Sequence, residues 1–438
     1  MNTNEKYDLA AIVIEHAIKQ GAQQVSVTIN DNRTNNIEIR DQKIDSLKES
    51  IQSNLSVSLY VDKRYSAHTT NRMKKDELLR FVDEAVIATR YLSEDEFRSL
   101  PEPDLYYKGA VTDLDIFDEK LDSVDPKTKI DLANKALNEA YKKDERIISV
   151  SAYYSDNISD RVMVASNGFK GNTRNSRVSL SASVSLKTDS GRPSDYWDEN
   201  ALFINKLKTD GIGTQALEKA IKKIGPKKIA SGNYRVIIEN RVAGNLVWPV
   251  FQALQGASLY KKQSFLIGKE NQPVASSLLT VIDDPLMPSG FGSRLFDHEG
   301  LAAVKRPVIE KGVLRNYFID NYYGRKLRMK PTSGSGSNVV YQTGTKSREE
   351  MIKSLTKGIL ITGFIGGNCN GSTGDFSYGI EGFLIQDGLI IHPVNEMNIS
   401  GNMKEFWFNL IETGNDPWQG GSNMIPSLMF DQVALSGI

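Results

Sequence analysis

Hydrolysis at a metal needs two or three neutral histidine or carboxylate ligands on rigid elements, with an open position for water. This 438-residue chain holds four histidines, His16, His68, His298 and His392, and a single cysteine, Cys369. The commonest arrangement is a helical H-E-x-x-H, whose histidines share one face. No two histidines here lie within two helical turns of each other. His298-Glu299 starts such a motif, but Ala302 stands where the second histidine belongs. A site built from His298, His392 and Cys369 would have to be assembled by the fold. His16 falls on an apolar stripe and reads as a satisfied core histidine. His68 follows a charged, hairpin-like segment and is expected to be exposed.

Covalent chemistry has equally little to start from. Cys369 sits in the run Gly366-Gly367-Asn368-Cys369-Asn370-Gly371, with no histidine near it in sequence. A reactive thiolate needs a base or a helix N-terminus beside it, so a buried or incidental thiol is the reading. There is no G-x-S-x-G elbow. Neither phosphate-cradling glycine pattern occurs. Ser333-Gly334-Ser335-Gly336-Ser337 is rich in glycine and serine, yet no helical pattern follows it. It is expected to be a mobile or cleft-lining loop.

The remaining chemistry is turn chemistry. Gly371-Ser372-Thr373-Gly374-Asp375-Phe376-Ser377 sets glycines among small polar groups, and Asp297-His298-Glu299-Gly300 and Gly414-Asn415-Asp416-Pro417 add acidic turns. Glycines let backbones approach each other or a peptide closely. Such runs either join strands or line a cleft. Ser333, Gly334, Thr373, Gly374, Asp375, Phe376 and Ser377 are accordingly the candidate substrate-binding residues.

The elements that must position these residues change character along the chain. Leu9, Ile12, Val13, His16 and Ala17 make one stripe of a helix from about Lys6 to Gln20, stopped by Gly21. Val25, Val27 and Ile29, then Leu55, Val57, Leu59 and Val61, alternate as strands do. A second helix runs from about Lys75 to Tyr91, and 93–118 is acidic and irregular. Asp125 and Pro126 open a third helix as N-cap and first residue. Arg161–Ala165, the turn Asn167-Gly168 and the alternation Val178–Leu186 return to strand. Thr214 opens a fourth helix that Gly225-Pro226 ends. After that stop, strands are short and turns dense: Tyr234–Ile238, Val313–Ile319, Ile359–Phe364 and Gly382–Ile385. The expected fold is α+β, with a mixed domain over 1–225 and a mostly β, barrel- or sandwich-like domain over 226–438.

Composition narrows the function classes. Lysine and arginine total 54, as do aspartate and glutamate. Direct nucleic-acid binding usually shows as a basic stripe, and the patch Lys222, Lys223, Lys227, Lys228 reads as a solvated helix end. One cysteine permits no internal disulfide, which suits a reducing compartment. Met1–Leu9 lacks the apolar core of a signal peptide. No run approaches the ~20 apolar residues of a spanning helix. A cytoplasmic location, without membrane contact, is expected.

Several late segments, in order, resemble the TldD/PmbA family, also called modulators of DNA gyrase. They are Ser264-Phe265-Leu266, Asp283-Asp284-Pro285, Phe296-Asp297-His298-Glu299-Gly300, Ile309-Glu310-Lys311-Gly312-Val313-Leu314, Thr373-Gly374-Asp375-Phe376-Ser377 and Pro426-Ser427-Leu428. In the TldD branch a helix after the first strand of the C-terminal domain carries an H-E-x-x-x-H zinc motif, completed by a late cysteine. By that resemblance the two ligand histidines fall near Val247 and Gln252, the glutamate near Trp248, and the cysteine near Asp416-Pro417-Trp418-Gln419. None of these is a ligand, and Cys369 lies too far upstream to be the late cysteine. The resemblance is therefore to the PmbA (TldE) branch. It implies a bacterial, oligomeric subunit that works with a TldD-like metallopeptidase on unfolded or leader peptides, completing the peptide channel without metal or cofactor of its own. When isolated, the subunit could form a homodimer. An independent hydrolase and a scaffold linked to gyrase are the alternatives.

Overall fold

The computed structural model describes residues 1–109, 113–189 and 191–437. Helix α1 (Thr3–Lys19) starts at a capping box, in which the Asn2 side chain accepts the Glu5 amide and the Glu5 carboxylate accepts the Asn2 amide. Strands β1 (Gln24–Arg40), β2 (Lys43–Val61) and β3 (Arg64–Thr70) follow, then α2 (Lys75–Thr89) and α3 (Pro126–Asn138), whose cap is Asp125. Strands β4 (Ile147–Ala165), β5 (Lys170–Leu186) and β6 (Ser194–Ala201) precede α4 (Ile212–Lys222). The six strands form one antiparallel sheet in the order β3-β2-β1-β4-β5-β6.

Four of these strands run 17 to 19 residues, longer than one helix pair can cover. Two helix pairs share the same face instead. Val25, Val27 and Ile29 pack with Val13, Ala17, Leu78 and Val82 under α1 and α2. Ile37 and Ile39 pack with Ala133, Leu137, Ala216 and Ala220 under α3 and α4. Between the two clusters the sheet turns polar. Lys6, fully buried, lies 2.8 Å from both Asp31 and Asp160. Lys129 lies 2.6 Å from Asp156, which also accepts from Asn35 and Tyr154.

Strand β7 (Gly232–Ile238) leads through α5 (Gly244–Ala253) and α6 (Gly256–Tyr260) to β8 (Val281–Asp283), β9 (Arg306–Glu310) and β10 (Val313–Leu314). Helix α7 (Asn321–Leu327), β11 (Val339–Tyr341) and α8 (Arg348–Lys353) precede the long strands β12 (Lys357–Cys369), β13 (Asp375–Gln386) and β14 (Leu389–Asn402). The chain ends through α9 (Met403–Phe406), β15 (Leu410–Thr413), β16 (Asn423–Met424) and β17 (Leu428–Ser436). β14, β13, β12, β7 and β17 pair in sequence, and β14 also pairs with β17, so these five strands close into a barrel. Beside it lies the sheet β10-β9-β8-β11-β16. A single hydrophobic core spans both, with α5 buried in it along one side. The fold class is thus the expected α+β, with a barrel in the C-terminal region.

Several details differ from the sequence reading. The strand expected over Val313–Ile319 lasts two residues. Tyr317, Phe318 and Ile319 are all buried in succession, which an alternating strand cannot do, and Phe318 bridges to Gln255. The fourth helix begins at Ile212, behind a left-handed Gly211, and not at Thr214. His68 is half-buried, its Nε2 2.8 Å from the Ser66 hydroxyl and its ring edge-on to Phe81, and burial lowers its pKa. His16 is satisfied, 2.7 Å from Asp83. The lysine patch is not simply solvated. Lys223 bridges Asp195 and Glu381, and Lys228 pairs with Glu396. Part of the irregular segment 93–118 (residues 110–112) lies outside the described residues.

Candidate functional site

Helix α5 follows β7 after a short turn, and its two faces differ. Val247, Val250 and Phe251 point inward against Phe265, Leu279 and Trp407. Asn245, Trp248, Pro249 and Gln252 point the other way and form one wall of a cleft of about 550 Å³. Trp248 is 64% exposed, which is unusual for so large an apolar ring and marks a contact surface more readily than a packing one. Pro249 lies inside the helix. It has no amide to give the Asn245 carbonyl one turn back.

The opposite wall is the far half of β12. β7 pairs with β12 only over Gly358–Ile361. Beyond Ile361, where β7 has already ended, β12 keeps β13 on one side and, among the described residues, has no strand on the other. Gly367, Asn368 and Cys369 therefore meet the cleft with an open strand edge. Tyr378 and Gly371 complete this wall, and Asn423 of β16 closes the end. Gly367 adopts φ +107°, and a Cβ there would sit 2.2 Å from the Ser377 carbonyl oxygen, so this position favours glycine strongly. The side chains offered to the cleft are carboxamides, a phenol, an indole and a thiol. None is charged at neutral pH.

Cys369 is half-buried here. Burial, and then the nearby Asp375 carboxylate, push its thiol pKa upward, the opposite of what an activated nucleophile needs. Tyr378 is pushed up to about 12 by burial and by Cys369. The residues that the resemblance sets against the metal ligands of the TldD branch do not fit a metal. Val247 faces the core, Trp248 is an indole and Gln252 an uncharged amide. The segment around Asp416 does come beside the start of α5, where the Asn240 side chain donates to the Asp416 carbonyl. The Asp416 carboxylate, however, is used by the Ser427 amide and hydroxyl.

The other candidates separate into two places. Thr373 and Gly374 end the turn that begins at Gly371, and Asp375, Phe376 and Ser377 open β13; of this stretch the cleft is lined by Gly371 before it and Tyr378 after it, and by none of the five themselves. The Asn370 side chain accepts the Ser372 and Thr373 amides, while Asp375 accepts from the Thr373 hydroxyl and the Asn402 amide. Those bonds hold the Asp375 carboxyl below its ordinary pKa. A Cβ on Gly374, at φ +89°, would meet the Asn402 side chain at 2.9 Å. Phe376 is buried against Phe406 and Tyr378. Ser333 and Gly334 lie elsewhere, beneath Arg294, His298 and Asp320. Their loop is fixed by Asp283, which accepts the Ser337 amide and hydroxyl. The cleft residues Asn245, Pro249, Asn368, Tyr378 and Asn423 went unread in the sequence. Trp248-Pro249 within a helical pattern was a readable signal for two of the wall residues. Nothing local marked Asn423.

Comparison with known proteins places this geometry. Sequence profiles of PmbA/TldA metallopeptidase domain 1, central domain and C-terminal domain match residues 25–89, 119–224 and 231–437. The metalloprotease PmbA of Escherichia coli O157:H7 is 26% identical over 92% of this chain and 89% of its own length. A PmbA homolog of Haemophilus influenzae is 27% identical over 98% of this chain and 95% of its own. A crystal structure of a candidate modulator of DNA gyrase from Bacteroides thetaiotaomicron is 43% identical, with both chains fully covered and a TM-score of 0.98. TldE from Thermococcus kodakarensis shares the fold at 20% identity and a TM-score of 0.87, over 98% of this chain and all of its own. With all three domains matched in order and a full-length relative at 43% identity, the chain belongs to the PmbA/TldD metallopeptidase family.

Proposed function

We propose that this chain is the noncatalytic, PmbA-type subunit of a cytoplasmic TldD-type metallopeptidase assembly that processes unfolded or leader peptides. The observation that carries the reading is the cleft face of α5. Where a metal site would need imidazoles, it presents Trp248 and Gln252 opposite an open, uncharged strand edge. Without a Lewis acid to lower the pKa of a bound water, hydrolysis has no evident nucleophile there. The same cleft suits the main chain of an extended peptide: an unpaired strand edge supplies amides and carbonyls, and carboxamides and an indole supply adaptable contacts. In this reading Thr373, Gly374 and the first residues of β13, Asp375–Ser377, stand between two residues of the cleft wall, Gly371 and Tyr378, while Ser333 and Gly334 would meet a peptide only outside this cleft. The division into 1–225 and 226–438 belongs to the same proposal. It is supported by strand pairing, since β1–β6 and β7–β17 pair within their own groups. Among the described residues no helix is long and apolar enough to cross a membrane.

The test is reconstitution. The chain, a TldD-like subunit and an unstructured peptide are mixed in all combinations, and cleavage is followed by mass spectrometry. Cleavage is expected only when both subunits are present. Turnover by this chain alone, abolished by His298→Ala or Glu299→Gln, would replace the proposal with an independent hydrolase.

A further inference from the structure

Ser333 and Gly334 lie outside the cleft beside α5, in a loop that arginines surround. Arg294 donates to the Ser333 hydroxyl at 3.2 Å and to the Ser335 carbonyl at 2.6 Å. Arg306 donates to the Thr332 carbonyl and lies 3.0 Å from Asp283. Arg161 comes from the other sheet. It shares a face of β4 with Met163, which packs with Phe296, and it donates to the His298 carbonyl at 3.3 Å. The His298 ring borders Gly334, where an added Cβ would meet its Cε1 at 3.0 Å. Ser333 is buried at φ +139°, a conformation that residues other than glycine rarely adopt. His298 is exposed, so the loop can be reached from solvent on that side.

Charge and hydrogen bonding are both left open around this loop. Among the described residues Arg161 and Arg294 have no carboxylate within ion-pair distance, although each is mostly buried. The Nε atoms of Arg161, Arg294 and Arg306 are buried without an acceptor, and Oδ2 of Asp297 is buried without a donor. Burial lowers the Arg161 pKa, and the Asp297 carboxylate offsets that only in part. Asp297 is committed through Oδ1 to the Glu299 and Leu301 amides. Among the described residues nothing accepts the amides of Gly334, Ser335 and Gly336. Free donors thus outnumber free acceptors, and a buried cation without a partner is costly. These groups lack an acceptor that carries negative charge. Asp283 is taken by Arg306, and Asp297 and Asp320 stand beside the loop, which weighs against a doubly charged oxyanion such as phosphate. A carboxylate has a single charge and the planar shape that a guanidinium fork matches.

We propose that Arg161, Arg294 and the Ser333–Gly336 loop form a carboxylate-binding site, separate from the cleft, for the C-terminus or an acidic side chain of a peptide. Binding to the full chain alone tests it, so the peptidase reading is not required. The melting temperature is followed with acetyl-tetraalanine, with its C-terminal amide, with an amidated acetyl-peptide holding one internal glutamate, and with inorganic phosphate. At least one of the two carboxylate peptides is expected to raise it in a saturable way, and the plain amide to leave it unchanged. A shift by acetyl-tetraalanine alone assigns a chain terminus, and a shift by the glutamate peptide assigns a side chain. Arg161→Met should abolish the shift. Arg161→Lys keeps the charge without the planar fork, disturbs the fold less, and should bind about tenfold more weakly. No shift with either carboxylate peptide, an equal shift with the plain amide, or a shift unchanged in both Arg161 variants would overturn the proposal. So would a response to phosphate alone.

Discussion

The first sheet and the C-terminal barrel solve the same problem in opposite ways. The sheet is open: its strands outrun any one pair of helices, so its core is split in two and the gap is filled by buried lysines paired with aspartates. The barrel closes on itself through β14 and β17; one large apolar cluster joins it to the neighbouring sheet, and a smaller one seats α8 on its other side. Charge is thus structural in the first region. In the second it is nearly absent from the cleft wall, where backbone edges and carboxamides are exposed instead. The contrast separates the work: the sheet holds a shape with internal ion pairs, and the barrel leaves a gap where β7 ends before β12 does. Three substitutions test that contrast.

The largest effect is expected at the polar seam. Lys129→Met leaves the Asp156 carboxylate buried, with Asn35 and Tyr154 still bonded to it but no countercharge. Breaking a buried pair from one side costs ~3–5 kcal/mol. Urea unfolding should show that loss as a shift in midpoint at unchanged slope. A loss below ~1 kcal/mol would mean that the seam is wetter than its burial indicates, and the comparison between the two regions would fail.

That seam also explains what the sequence concealed. Val25–Ile29 and Leu55–Val61 were legible because each lies under a helix pair and alternates. Residues 31–35 of the same strand broke the alternation with Asp31, Arg33 and Asn35 on the buried face, so β1 read as a short strand when it runs to Arg40. Three of the five barrel strands, β7, β12 and β13, were readable in part as apolar runs; β14 and β17 were not, and the order was hidden because closure depends on β14 meeting β17 far along the chain. The absence of ligands on α5 was visible in its residues. The cleft was not, since it exists only where β12 outlasts β7 and Asn423 arrives from another sheet.

A smaller effect is expected at the junction of the two regions. Tyr106 bridges to Leu301, and Phe169 packs on Phe296, beside Glu299. Burial pushes the Glu299 pKa up to about 8, although its carboxylate accepts the Asn321 amide. Between the ordinary carboxylate range and about pH 8 the folded chain holds this proton while the unfolded chain has lost it. The native state therefore binds more protons there, and stability falls as pH rises across that window. Glu299→Gln keeps an acceptor and carries no charge. It should leave the melting temperature near that of the wild type at pH 5 and raise it at pH 8, by roughly 1–3 kcal/mol of stability. Equal effects at both pH values would show that the carboxylate is already ionised and solvated in the folded state.

The smallest effect on stability should come from the cleft. Trp248 is mostly exposed, and the apolar face of α5 that anchors the helix is formed by Val247, Val250 and Phe251. Trp248→Ala is therefore expected to change unfolding by no more than ~0.5 kcal/mol, in contrast with Lys129→Met. Its effect should instead appear in binding. Of the four tryptophans, Trp407 is buried, and Trp197 and Trp418 do not line the cleft, so an unstructured peptide entering the cleft should shift tryptophan emission mainly through Trp248, and the shift should vanish in the variant. A large loss of stability would make Trp248 a packing residue. An unchanged emission shift would place the peptide elsewhere, and the cleft beside α5 would then be a remnant of the family's shape without a ligand of its own.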